Sequence, residues 1–210
     1  MSSAESIPFL VKICGITNES DAHVAIAAGA NALGFNFYKR SPRYIEPENA
    51  REITKSIPQG ILKVGIFVNV REAELEAIIR EDWLDVVQLH GVDCAFPPPN
   101  YRIWRAVHAA DNNFHADSKV EAYLVDTPSE NFGGSGRPFP WKVAANLPYR
   151  TIIAGGLDAS NVAEAIHIAR PWGVDACSRL ESRPGKKDAQ RVREFVRAAL
   201  AAVEKREIAV

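Results

Sequence analysis

Cysteine is scarce and scattered in this chain. Cys14, Cys94 and Cys177 are odd in number and form no C-x-x-C pair, which excludes a disulfide framework and a zinc knuckle and fits a reducing compartment. A surplus of charge is also missing: 25 Lys and Arg stand against 26 Asp and Glu. No global field is left to hold nucleic acid or an anionic membrane, so an anionic ligand must be bound locally. No apolar run is long enough to span a bilayer, and residues 1–8 lack the basic segment and apolar stretch of a signal peptide. A soluble, unprocessed, cytoplasmic protein is expected. The five histidines show no metal-ligand spacing, so no metal is expected.

What the sequence does have is a period. Short apolar runs ending in polar or glycine-rich residues recur at 10–14, 32–36, 62–67, 85–89, 102–107, 122–126, 151–154 and 174–177. These read as eight strands. Helical spacing follows most of them, most clearly at 20–28, 47–56, 72–80, 161–169 and 188–203. In the last of these, Phe195, Leu200 and Val203 are expected to face inward. Glu46 and Pro47 are sensible helix-start signals. The fourth unit is the weak one, because Pro97, Pro98 and Pro99 cannot sit inside a helix.

The expectation is an α/β chain folded as a (β/α)8 TIM barrel with a shortened or missing fourth helix, near the lower size limit for that fold. A doubly wound open sheet would need a phosphate loop after the first strand, and Cys14-Gly15-Ile16-Thr17 lacks the G-x-G-x-x-G spacing. No linker divides the chain, so a single domain over residues 1–210 is expected.

Chemistry in such a barrel sits where the strands end. The polar residues at those points include Cys14, Asn36 with the following Arg43, Gln88 with His90, Asp126, the pair Gly155-Gly156, and Asp175 with Ser178. Gly155-Gly156 leads through Asp158 and Ser160 into a helix, a layout that offers freed backbone N–H groups to a phosphate, although a plain capping turn would read the same way. Gly133-Gly134-Ser135-Gly136-Arg137 lies in a long connection after Asp126 and is either a lid contributing ligand contacts or a flexible connector. Cys14 is by default a small buried hydrophobe. In a charged neighbourhood its pKa could fall, giving a thiolate able to take a carbon-bound proton. Asp126 closes an apolar strand, where a carboxylate is costly unless paired or functional. Arg43 is a solvated loop residue or a carboxylate binder. His90 reads as a structural histidine rather than a zinc ligand.

Taken together, the sequence closely resembles the phosphoribosylanthranilate isomerases of tryptophan biosynthesis. The resemblance spans nearly the whole chain. It is carried by Lys12-Ile13-Cys14-Gly15-Ile16-Thr17, Ser41-Pro42-Arg43-Tyr44, Gly65-Ile66-Phe67-Val68-Asn69, Gln88-Leu89-His90-Gly91, Leu124-Val125-Asp126, Gly133-Gly134-Ser135-Gly136 through Phe139 and Trp141, Ala154-Gly155-Gly156-Leu157 and Pro184-Gly185-Lys186-Lys187-Asp188. Each motif alone is weak; their order and spacing are specific.

The resemblance implies Cys14 as general base, Asp126 as general acid, and Arg43, Gln88, His90, Gly134 and Gly136 as substrate contacts. It places phosphate at Gly155, Gly156, Ser178 and Arg179, within two loops of which the second spans residues 175–181. It implies an Amadori rearrangement, an aldose–ketose isomerisation of a phosphorylated small molecule that needs no cofactor, by a monomer or homodimer with no nucleic-acid or membrane partner. Asp126 would act protonated, which requires surroundings that disfavour its charge.

The chain departs from the family pattern in the eighth loop, Asp175-Ala176-Cys177-Ser178-Arg179, where Cys177 and Arg179 are unusual. Arg179 either crowds the phosphate or adds a contact to it, and a turn toward the phosphate is expected. The alternatives are a histidine-pathway or dual-substrate phosphoribosyl isomerase, which carries an aspartate base where Cys14 stands, and a non-catalytic phosphometabolite-binding barrel.

Overall fold

A computed structural model of the protein describes residues 9–108, 116–126, 140–145 and 147–208. Eight parallel strands, β1 (Leu10–Ile13), β2 (Ala32–Asn36), β3 (Leu62–Val68), β4 (Val86–His90), β5 (Arg102–His108), β6 (Ala122–Asp126), β7 (Thr151–Ile153) and β8 (Gly173–Ala176), close into a barrel in sequence order. Each falls within two residues of its expected position. β8 closes on β1 with Leu10 opposite Gly173 and Lys12 opposite Asp175. Gly173 is required there, because a Cβ would collide with Leu10.

Side chains alternate along the strands, and the alternation builds two cores. Leu10, Ala32, Val64, Val86, Trp104, Ala122 and Ile152 fill the barrel interior. Val11, Ile13, Leu33, Phe35 and Val87 point outward against the helices. The same alternation sends Lys12 inward beside Leu10. Inward positions beyond Lys12 therefore carry Cys14 to the open end.

The helices are α1 (Glu19–Ala28), α2 (Pro47–Lys55), α3 (Glu72–Ile79), α4 (Val162–Ala169) and α5 (Ala189–Ile208). Asn18 caps α1 by accepting from the Asp21 N–H at 2.9 Å, and Gly29 ends it in a left-handed conformation, φ 103°. Pro47 opens α2 at a position whose N–H has no helical partner to lose. In α5 the buried stripe is Val192, Phe195, Val196, Ala199 and Val203. Leu200, expected inward, is 37% exposed. One residue beyond Ala199 is about 100° around the helix, so Leu200 falls at the stripe's edge, over Gly29.

No helix links β4 to β5. Residues 91–101 run as turns and extended chain, with the Ala95 N–H donating to the Val70 carbonyl at 2.9 Å and that of Tyr101 to Pro98 at 3.1 Å. The prolines thus have the expected consequence. Between β6 and β7 the described residues contain a single 3-10 turn, Trp141–Ala144. After β8 comes another, Ser178–Leu180, and then a small antiparallel pair, β9 (Glu181–Arg183) and β10 (Lys186–Lys187), which the sequence reading treats as loop. That hairpin lies beside the loop after β1 and the end of β8, with the Thr17 hydroxyl donating to the Gly185 carbonyl and Lys187 Nζ reaching the Cys177 carbonyl at 3.3 Å.

Candidate active site

The C-terminal ends of the strands surround a cavity that opens to solvent. Cys14 reaches it from β1, Arg43 from the loop after β2, Gln88 and His90 from β4, and Asp126 from β6. Gly155 and Gly156 reach it from the β7 loop, and Ser178 and Arg179 from the β8 loop. Residues scattered over most of the chain thus meet at one place. Gly134 and Gly136, expected as substrate contacts, lie outside the described residues.

The β1–β8 side of the cavity holds a buried charge network. Lys12 Nζ donates to Asp175 Oδ1 at 2.9 Å inside the barrel, with the lysine side chain wholly buried. Burial works against the lysine's charge, but Asp175 and Cys14 outweigh it and hold the ammonium form more firmly than in water. Arg43 grips Glu181 in a bidentate pair, Nε to Oε1 at 2.9 Å and Nη2 to Oε2 at 2.8 Å. Lys187 Nζ meets the same carboxylate at 3.0 Å. Glu181 is burdened by desolvation, yet Arg43 and Lys187 pull its pKa below the usual glutamate value. Arg43 Nη1 has no partner among the described residues. The guanidinium edge carrying it remains available for a second carboxylate.

Cys14 and Cys177 sit side by side within this network. Ile13 pairs with Ala176, and the Cys14 N–H donates to the Ala176 carbonyl at 2.9 Å, so the next residues on both strands are neighbours. Gly15 turns the chain away at φ 74°; a Cβ there would lie 2.9 Å from Arg43 Cδ and 3.0 Å from Cys177 Sγ. Gly34 on β2 gives Cys14 its room, since a Cβ there would lie 3.1 Å from Cys14 Sγ. The expected lowering of the Cys14 pKa does not occur. Its hydrogen bond with Cys177 and its burial push the thiol well above the ordinary value, against the pull of Lys12. Cys177 is instead lowered to about 7 by the hydrogen bond from Cys14, against burial, with Lys187 and Arg43 adding to the effect.

On the opposite side, Gln88 is buried, with Nε2 2.7 Å from His90 Nε2. Its Oε1 is buried without a partner among the described residues. An orphaned acceptor in a cavity wall is costly unless a ligand N–H or O–H satisfies it.

At the β7–β8 end, Gly155 and Gly156 adopt φ 84° and 63°, a region that strains other residues. Their N–H groups and that of Ser178 donate to no acceptor among the described residues. Asn161 braces this loop, its Nδ2 donating to the Gly156 carbonyl and its Oδ1 accepting from the Asp158 N–H, both at 2.9 Å. Arg179 lines the cavity, but its Nε is drawn to Asp158 at 2.6 Å. Asp175 and Glu181, expected within the phosphate loop, direct their carboxylates at Lys12, Arg43 and Lys187.

The sequence reading missed Lys12 and Lys187 as parts of the site. Lys12 had a legible signal, because a lysine centred in an apolar strand must find a carboxylate. Lys187 depends on the small hairpin and had none.

A family model described as N-(5'phosphoribosyl)anthranilate (PRA) isomerase matches residues 11–198. The chain belongs to this family. The N-(5'-phosphoribosyl)anthranilate isomerase of Solibacter usitatus is 50% identical over 199 residues, covering 92% of this chain and 98% of the relative. The crystal structure of phosphoribosyl anthranilate isomerase from Thermotoga maritima superposes with a TM-score of 0.77 at 35% identity, over 91% of this chain and 98% of that one. A phosphoribosyl anthranilate isomerase in complex with reduced 1-(o-carboxyphenylamino)-1-deoxyribulose 5-phosphate superposes with a TM-score of 0.74 at 32% identity, over 91% of this chain and 98% of that one. PRA isomerases of known structure and this chain thus share the closed eight-stranded barrel.

Proposed function

We propose that this PRA isomerase family member carries out the family reaction, with the cavity at the C-terminal strand ends as its active site. The substrate would be N-(5-phosphoribosyl)anthranilate and the product 1-(2-carboxyphenylamino)-1-deoxyribulose 5-phosphate. The observation that carries the reading is the convergence of Cys14, Asp126, Arg43 and the Gly155–Gly156 turn on one cavity at the C-terminal strand ends.

The roles follow from placement. The 5'-phosphate lies at the β7–β8 end, where the N–H groups of Gly155, Gly156 and Ser178 have no acceptor among the described residues and Arg179 lines the cavity. The anthranilate carboxylate meets Arg43 on the edge that Glu181 leaves open. Gln88 Oε1 accepts from a substrate N–H or hydroxyl, with His90 fixing the amide. Asp126 gives a proton to the furanose ring oxygen and the ring opens to an iminium. Cys14 then removes the C2' proton, leaving an enolamine that tautomerises to the ketone. The steps are proton transfers and one C1'–O cleavage, in which the anthranilate nitrogen's lone pair forms the iminium C=N bond, with no net change of oxidation state, so the reaction requires no cofactor.

The proton-transfer and binding groups assigned above are all residues of a single chain, and the reading is the same for a monomer and a homodimer. We place the single domain in the cytoplasm. Free thiols support this, and no helix among the described residues is long and apolar enough to cross a membrane. The test follows the fluorescence of N-(5-phosphoribosyl)anthranilate with purified protein. Its loss at a rate proportional to enzyme supports the reading; tight binding of the reduced product analogue without turnover leaves a binding barrel instead.

A further inference from the structure

The Cys14–Cys177 pair is the feature that the family reading leaves unexplained. A strongly held proton on Cys14 is at odds with its role as base. The two residues follow directly on the in-register pair Ile13 and Ala176 and face the same cavity, Cys14 from β1 and Cys177 from β8. Adjacent strands stand about 4.8 Å apart, which brings such side chains into contact.

The charges around the pair are unevenly spread. Lys12, from β1, is matched by Asp175, from β8, at 2.9 Å. Near Cys177 are Arg43 from the β2 loop, Lys187 from β10 and Glu181 from β9. Lys187 Nζ lies 3.7 Å from Cys177 Sγ and 3.3 Å from its carbonyl. Glu181 Oε1 lies 3.9 Å from Cys177 Sγ. It opposes a thiolate there, but two cations already share it. Asp126, His90 and Arg179 line the same cavity from β6, β4 and the β8 loop. Immediately around the sulfurs, three cations face two carboxylates, and the uncompensated positive charge is on the Cys177 side. One thiolate neutralises it.

We propose that Cys177 is a positioning residue for the base: the two sulfurs share one proton, with the negative charge resting on Cys177 and the proton on Cys14 until substrate is bound. This rests on the isomerase reading above. When substrate occupies the site, the Cys14 proton passes to Cys177 along their hydrogen bond, and Cys14 becomes the thiolate facing C2'. That thiolate takes the C2' proton while the carbon keeps the electron pair in the enolamine. Both sulfurs are then thiols and Asp126 is a carboxylate. One proton leaves the pair and one reaches Asp126 through solvent, which restores the starting state with no net change in the enzyme. The first ionisation belongs to the pair rather than to either sulfur.

The test compares the parent with Cys177→Ala and Cys177→Ser by the pH dependence of kcat/KM, with thermal unfolding as a control for fold. The parent's acidic limb is expected near pH 7, the value to which Cys177 is lowered. Without Cys177, Cys14 must ionise alone, half-buried beside Asp175. The limb then moves upward by about one unit or more, costing about fivefold or more in kcat/KM at pH 7, carried by kcat with little change in KM, and recovering at alkaline pH. Serine, which donates a hydrogen bond but cannot hold the charge, restores part of the shift.

A second readout is independent of turnover: thiolate ultraviolet absorbance, titrated in a Cys94→Ser background. The step near pH 7 should vanish in Cys177→Ala and persist in Cys14→Ser. An acidic limb unmoved in Cys177→Ala, or a step that vanishes with Cys14 and survives loss of Cys177, overturns the proposal. An inactive parent overturns the isomerase reading, and the absorbance titration still decides where the charge rests.

Discussion

The two ends of the barrel use charge differently. At the N-terminal end, Arg102 and Arg150 share Glu121 at 2.7 and 3.2 Å, Trp104 Nε1 donates to the same carboxylate at 3.1 Å, and Arg150 lies over the Trp172 ring. Glu121 is 25% exposed, so these pairs sit at a wet rim. At the C-terminal end, Lys12, Lys187 and Glu181 are almost wholly buried, around two thiols. Rim pairs stabilise modestly at little cost, whereas buried ions cost several kcal/mol each to desolvate and are seldom the best route to stability. The C-terminal end keeps charges that folding alone would not favour, as expected of a site on this fold. The comparison predicts that substitutions at the two ends fail in different ways.

The largest expected effect is on chemistry. Asp126→Asn should lower kcat by about 10²- to 10⁴-fold, because an amide cannot deliver the proton to the ring oxygen. Analogue affinity and unfolding temperature should hold. A kcat near the parent's would remove Asp126 from the acid role.

Next is Glu181→Ala, which leaves Lys187 and Arg43 facing one another without their carboxylate. A loss of about 3 to 5 kcal/mol in denaturant unfolding is expected, the cost of breaking a buried pair from one side. A loss below 1 kcal/mol would mean that water enters the network freely.

At the other end, Glu121→Gln should cost about 1 kcal/mol and leave turnover intact. Its folded-state pKa is lowered, with Arg102 and Trp104 overcoming desolvation. A carboxylate lowered on folding contributes stability above its unfolded pKa and loses it as the pH falls through the folded value. The difference between parent and Glu121→Gln should therefore shrink below about pH 4. A difference that grew on acidification would reverse the assigned sign.

The smallest effect is expected at Arg179. Its side chain is 41% exposed and tied to Asp158, so Arg179→Gly should change phosphorylated-analogue affinity by less than about 1 kcal/mol, the range for an exposed ion pair. A gain of tenfold would show obstruction; a tenfold loss would show that the arginine leaves Asp158 for the phosphate.

Much of this was legible in the sequence, for identifiable reasons. Each strand is a short apolar run bounded by polar residues, and the three prolines at 97–99 exclude the fourth helix, so the barrel follows from local pattern. Cys14, Gln88, Asp126 and Gly155 could be singled out because they occupy strand ends. What was not legible depends on closure. Arg43 meets Glu181 across 138 positions and Lys12 meets Asp175 across 163, through β8 returning to β1 and the small hairpin folding beside them. Cys177 looked like a departure in a phosphate loop; only the β1–β8 register makes it the neighbour of Cys14. The same contact reversed the direction expected for the Cys14 thiol.

The central claim, that the C-terminal end is built for proton transfer and not merely for binding, is tested most directly by Cys14→Ser. Turnover of N-(5-phosphoribosyl)anthranilate and affinity for the reduced product analogue should be measured on the same preparation. The account predicts analogue affinity within about threefold of the parent and turnover lower by about 10²-fold or more, since a serine hydroxyl is a far weaker base than a thiolate. Turnover within threefold of the parent, with affinity unchanged, would contradict it.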